Sequence, residues 1–145
     1  RQHPRDLFDI DMLFKNEGLP EKVRKAFLVY LVSHSRPMVE ILNPQWGDLR
    51  PVFEREFQDM VVEPVTPEEL RTIGEQLVSK LRKEMTREER QFIVSVKEGK
   101  PQWNFLGVPG IESLPAVQWK LLNIGRMTQG KHREALRKLR DYLGV

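Results

Sequence analysis

The sequence contains no cysteine. That absence removes disulfides, thiolate metal sites and cysteine nucleophiles together, and it suits a reducing interior. No apolar run approaches the ~20 residues that carry a helix across a bilayer, and no signal-peptide pattern opens the chain. A soluble, cytoplasmic protein with no membrane partner is therefore expected. Glycine is sparse and scattered: its 9 residues stand singly, with no Gly-Gly or Gly-Ser pair leading into a strand-like run. Long blocks of one charge sign, internal repeats and low-complexity segments are also missing. The net charge of +3 is mildly basic, which permits contact with nucleic acid without arguing for it.

What is present is a succession of helical patterns. With 145 residues the chain is expected to be a single domain, long enough to bury a core. Pro4 suits a first helical turn, and Leu7, Ile10 and Phe14 give that helix an apolar stripe running to about Asn16, with Gly18 as its stop. From Pro20 a second helix puts Val23, Ala26, Phe27, Tyr30 and Leu31 on one face, with Leu28, Val29 and Val32 making it apolar nearly all round, as in a central helix. Residues 37–42 form a short helix. Asp48 reads as an N-cap ahead of Pro51, with Leu49, Val52, Phe53, Phe57 and Met60 at helical spacing. Trp46 beside Gly47 is expected to plug a loop against the core. The segment 61–65 reads as an extended connector, because Pro64 and the lack of a partner strand argue against a sheet.

Two capping boxes, Thr66 with Glu69 and Thr86 with Glu89, mark the clearest helix starts. The Pro- and Gly-rich stretch 100–113 uses Trp103, Phe105 and Leu106 as anchors. Val117, Leu121 and Ile124 then define a helix, with Trp119 and Lys120 beside them. The last helix turns Leu136, Leu139 and Leu143 inward and shows Lys131, Arg133, Arg137, Lys138 and Arg140 outward, the most basic stretch of the chain. The expected architecture is an all-α, compact, bundle-like domain of about seven helices with short Pro- and Gly-marked connections.

Chemistry concentrates in the opening run Arg1-Gln2-His3-Pro4-Arg5-Asp6-Leu7-Phe8-Asp9-Ile10. Asp6 and Asp9 are three apart and share a helix face, beside Arg5, whereas Asp11 points away. Two carboxylates beside a guanidinium can hold a hard cation, orient a nucleophile or grip phosphate; in a first turn they also complement the helix dipole. His34 and Arg36 close the second helix, where a histidine bonds a carbonyl or complements the dipole and an arginine can meet phosphate.

The run His3-Pro4-Arg5-Asp6-Leu7-Phe8-Asp9 resembles the R-D-(L/Y)-(F/Y)-D signature of the AbiEii/AbiGii-type nucleotidyltransferase toxins of bacterial toxin–antitoxin and abortive-infection systems. Similar blocks follow at Lys25–Pro37, Phe53–Phe57 and Leu114–Ile124, in the order of that family's C-terminal half. The resemblance implies transfer of a nucleoside monophosphate from an NTP to an acceptor, with tRNA a candidate, Mg²⁺ and NTP as cofactors of the full-length protein, and a cognate antitoxin. It assigns Asp6 and Asp9 to catalysis and Arg5 to phosphate.

The family's Gly-rich strand-to-helix turn and strand-borne D-x-D are not found; the only D-x-D is Asp9-Ile10-Asp11, on the predicted helix. The expectation is therefore a C-terminal helical part, 1–145, whose nucleotidyltransferase core is a missing N-terminal partner. Such a part would be inactive alone, would bind no cofactor or metal by itself, and could dimerise through an exposed surface. The alternative is a free-standing helical protein- or RNA-binding module without catalysis, indifferent to Mg²⁺ and nucleotide.

Overall fold

A computed structural model describes residues 2–16, 18–60 and 64–145. Val61, Val62 and Glu63 of the expected connector lie outside the described residues. Among the described residues eight α-helices follow one another: α1 (Pro4–Asn16), α2 (Glu21–Ser33), α3 (Met38–Leu42), α4 (Arg50–Glu56), α5 (Pro67–Glu84), α6 (Arg87–Lys97), α7 (Pro115–Gly125) and α8 (Gln129–Leu143). Three 3-10 turns, Gln58–Met60, Trp103–Phe105 and Ile111–Ser113, complete the regular structure, and no strand occurs among the described residues. The protein is all-α, as the amphipathic periods require.

The chain gathers into two compact units, one of Arg1–Pro20 with Gln45–Lys83, the other of Glu21–Pro44 with Glu84–Val145. In the first, Leu7 of α1, Leu49, Phe53 and Phe57 around α4, and Leu70 of α5 form a buried cluster, with Phe8, Trp46, Val65 and Ile73 packed on it. Removing each such side chain from water contributes about 1.5–3 kcal/mol. Trp46 does plug its loop, and its partner is Gly74: a Cβ built there would lie 2.1 Å from the indole Cη2. Helix α5 therefore carries a glycine in its interior because the ring occupies the space of a side chain.

In the second unit, Leu28, Leu31 and Val32 of α2, Phe92, Ile93 and Val96 of α6, Val117 of α7, and Leu139 and Leu143 of α8 share one core. Trp103 packs against Phe92 with ring centroids 6.0 Å apart and planes tilted by 54°, so the Pro- and Gly-rich stretch is pinned by its aromatics to its own core.

Helix ends follow local chemistry. At both predicted capping boxes the Glu carboxylate accepts from the Thr backbone N–H, at 2.7 Å for Thr66–Glu69 and 2.9 Å for Thr86–Glu89, while each Thr hydroxyl accepts the Glu N–H. Gly18, at φ +72°, donates its N–H to the Leu13 carbonyl, and Gly144, at φ +71°, closes α8 on the Arg140 carbonyl.

Four expectations are corrected. The buried face of α2 is Arg24, Leu28, Leu31 and Val32, not the one holding Ala26 and Tyr30, which are exposed. The rotation has a chemical cause, the ion pair of Arg24 with Glu89 inside the unit. Met60 is exposed because the chain tightens into a 3-10 turn after Phe57 and breaks the helical spacing. Asp48 is not the N-cap of α4; Leu49 holds that position, and Asp48 binds the Arg50 N–H and guanidinium. On α7, Leu121 packs partly buried on the core as expected, but Lys120 is buried beside Val117 and Ile124, while Trp119 stands exposed.

Candidate functional site

The first turn of α1 is fixed by side chains that spacing rules do not reveal. His3 accepts the Leu7 N–H with its carbonyl at 3.1 Å, occupying the N-cap position without a hydroxyl or carboxylate. Its Nδ1 accepts the Arg5 N–H at 3.2 Å, which assigns the ring proton to Nε2, 3.2 Å from the Glu56 carboxylate. Glu56 also binds Arg55, and these two contacts, Arg55 first and His3 second, hold its carboxyl below the usual range. One residue earlier, the Gln2 amide donates to the Gln45 carbonyl at 2.7 Å and accepts the Gly47 N–H at 2.9 Å. The start of α1 is thus tied to α4 and to the loop before it. No local pattern announces this, because the partners are more than forty residues away.

The motif then divides by side. Leu7 is buried and Phe8 packs at a tilt on Phe57 with 5.8 Å between centroids, so the two apolar residues anchor the turn. Arg5 and Asp9 are exposed and Asp6 is half-buried. Asp6 lies in the first turn, where the helix dipole favours a carboxylate. With i,i+3 spacing the Asp6 and Asp9 Cβ atoms are about 5–6 Å apart on one face. Asp11 turns away from them and pairs with Lys15 at 2.6 Å. Further along, Lys80 stands 5.2 Å over the Phe14 ring.

Other sequence candidates resolve into structural roles. The His34 Nδ1 accepts the Arg36 N–H at 3.1 Å and the ring packs on Tyr30 at 5.2 Å. Arg36 reaches Glu40. On α8, Arg137 pairs with Asp141, Lys138 with Glu134 and Arg140 with Glu98, so the basic face is largely ion-paired within the chain.

A family model described as "Nucleotidyl transferase AbiEii toxin, Type IV TA system" matches residues 1–123. The chain belongs to this family. The match takes in the Arg5-Asp6-Leu7-Phe8-Asp9 run and ends within α7. No curated protein and no solved structure matches the chain. As an AbiEii-type toxin of a Type IV toxin–antitoxin system, the protein has an antitoxin as its implied partner. No helix among the described residues is long and apolar enough to cross a membrane. Residues 124–145, outside the match, still complete the fold, since Leu139 and Leu143 of α8 lie in the core of the second unit.

Proposed function

We propose that this AbiEii-family chain presents Arg5, Asp6 and Asp9 to a transferring nucleotide, in a reaction that moves a nucleoside monophosphate from an NTP to an acceptor hydroxyl, with tRNA as the acceptor class. The observation that carries the reading is a helix start that exposes Arg5 and Asp9 with the half-buried Asp6 between them, while Leu7 and Phe8 anchor its apolar side and Gln2 and His3 pin its beginning. Pinning matters because phosphoryl-type transfers are catalysed mostly by positioning and charge.

In this reading the acceptor oxygen attacks the α-phosphorus, the bond to the bridging oxygen of the β-phosphate breaks, and pyrophosphate leaves. Asp6 or Asp9 takes the hydroxyl proton or orients that hydroxyl. Arg5 grips phosphate oxygens through its planar fork, stabilising charge as it shifts toward the leaving group. Asp6 and Asp9 supply the kind of oxygen ligands that Mg²⁺ takes, since that ion is ordinarily held by one or two carboxylates plus phosphates and water. Asp6 and Asp9 would hold such an ion, which would supply neutralisation of phosphate charge. We propose that the phosphate-gripping turn and the strand-borne carboxylates come from a nucleotidyltransferase core outside these 145 residues, and that the chain alone transfers nothing.

The test is label transfer from an α-labelled NTP to tRNA by the protein carrying that core. Arg5→Ala, Asp6→Asn and Asp9→Asn should each lower transfer while circular dichroism holds and stability falls by no more than about 1 kcal/mol. Full activity in both Asp variants would remove the assigned roles.

A further inference from the structure

Inside the second unit, a cavity of about 220 Å³ opens between α3, α6, α7 and α8. Met38, Val39, Ile124 and Leu139 give it apolar walls, and it also contains two lysines, Lys97 and Lys120. Lys120 is only 8% exposed. Its ammonium donates to the His34 carbonyl at 2.6 Å and the Arg36 carbonyl at 2.5 Å. The Lys97 ammonium is 3.2 Å from the Met127 sulfur. These partners are all neutral, and neither lysine has a carboxylate partner among the described residues.

A buried ammonium is costly unless an opposite charge compensates it, and a methionine or leucine would fill the same space at lower cost. Lys97, half-buried on the same cavity, adds to the penalty by repelling the Lys120 ammonium. Consistently, burial and then repulsion by Lys97 push the Lys120 pKa down to about 8, and burial lowers that of Lys97. An anion between the two ammonium groups would relieve both effects. The ammonium of Lys120 has three donors, of which two are taken by carbonyls.

We infer that this cavity is a binding site for a carboxylate carried on a short apolar body, with the carboxylate between Lys97 and Lys120 and the body among Met38, Val39, Ile124 and Leu139. None of the lining residues belongs to α1, and the inference does not depend on the roles given to Asp6 and Asp9. The volume exceeds the ~150 Å³ cavity that accepts a six-carbon ring, so a six-carbon acid fits.

The test titrates the folded protein with hexanoate, followed by the methyl NMR signals of Met38 and Met127, beside hexan-1-ol as the uncharged counterpart. Saturable shifts at both methionines are expected with hexanoate, and binding about ten-fold or more weaker with the alcohol. Lys97→Met leaves the Lys120 tethers in place and should weaken hexanoate about ten-fold without changing the alcohol. Ala135→Phe, which fills the cavity, should abolish both. Acetyl-alanyl-leucine as the free acid, run in parallel, distinguishes the source: tighter binding than hexanoate assigns the site to a peptide-chain terminus, weaker binding to a free small acid, and either supports the carboxylate pocket. Equal affinity for acid and alcohol, or hexanoate binding unchanged in Lys97→Met, would overturn it, as would unmoved methionine signals at roughly 20 mM hexanoate.

Discussion

Arg24 of α2 donates its Nε–H to both carboxylate oxygens of Glu89 of α6, at 2.8 and 3.0 Å, and Glu89 is only 2% exposed. The same carboxylate accepts the Thr86 N–H, so one side chain caps α6 and neutralises a cation inside the core. Truncating either partner strands a buried charge, which costs about 3–5 kcal/mol. Arg24→Ala and Glu89→Ala should each lower the denaturant midpoint sharply. The companion box gives the control: Glu69 makes the same backbone bonds but is exposed, and Glu69→Ala should cost only about 1 kcal/mol. Equal losses in Glu69→Ala and Glu89→Ala would show that the buried pair contributes nothing beyond capping.

Gly74 offers a prediction in which two effects oppose. In a helix interior Gly→Ala ordinarily gains about 0.5–1 kcal/mol. Here the added methyl meets the Trp46 indole at 2.1 Å, and overpacking costs about 1–3 kcal/mol. Gly74→Ala should therefore destabilise in urea unfolding, and it should become neutral or stabilising in a Trp46→Leu background. Destabilisation of the same size in both backgrounds would place the cause elsewhere.

Lys120 should make stability depend on pH. Its pKa is about 8 in the folded protein against an ordinary 10.5, so between these values the unfolded chain binds the extra proton and stability rises with pH. Below about 8 both states are protonated and the burial penalty is complete; above 10.5 it has gone. The charged group acting on Lys120 is Lys97 on α6, and the groups of His34 and Arg36 that it touches are backbone carbonyls at the end of α2. Because those groups are common to both proteins, the comparison is between the parent and Lys120→Met. The stability of the parent relative to the variant should climb from pH 7.5 to pH 10. A flat difference would mean that the folded ammonium keeps its ordinary pKa.

The sequence revealed most of what is set locally. The Thr66–Glu69 and Thr86–Glu89 boxes, Pro4 in a first turn and Gly18 beyond its helix depend on neighbours within a few residues, and all appear where expected. What escaped depends on distant partners. The buried face of α2 does not follow from periodicity, because Arg24 has the chemistry of a surface residue until Glu89, sixty-five positions later, is brought to it. Lys120 escaped for the same reason, its carbonyl partners being more than eighty residues upstream. At the candidate site, the shared face of Asp6 and Asp9 follows from helical spacing, whereas the clamp made by Gln2, His3 and Glu56 does not.

That clamp predicts a positioning effect. His3→Ala removes the link to Glu56 and the acceptor for the Arg5 N–H without touching Arg5, Asp6 or Asp9. In the protein carrying the nucleotidyltransferase core, kcat for nucleotide transfer should fall with little change in KM for NTP, and His3→Asn, which retains a hydrogen-bonding group near the N-cap, should restore part of it. A rise in KM alone would point to ground-state binding.

The central claim is tested most directly by transfer of α-labelled nucleotide to tRNA in Asp6→Asn, Asp9→Asn and Asp11→Asn, each measured beside its melting temperature. The account predicts losses of about 100-fold or more in the first two, parent-like transfer in Asp11→Asn, and stability changes of no more than about 1 kcal/mol in all three, the size of a dipole or surface ion-pair contact. Parent-like transfer in both Asp6→Asn and Asp9→Asn would contradict it.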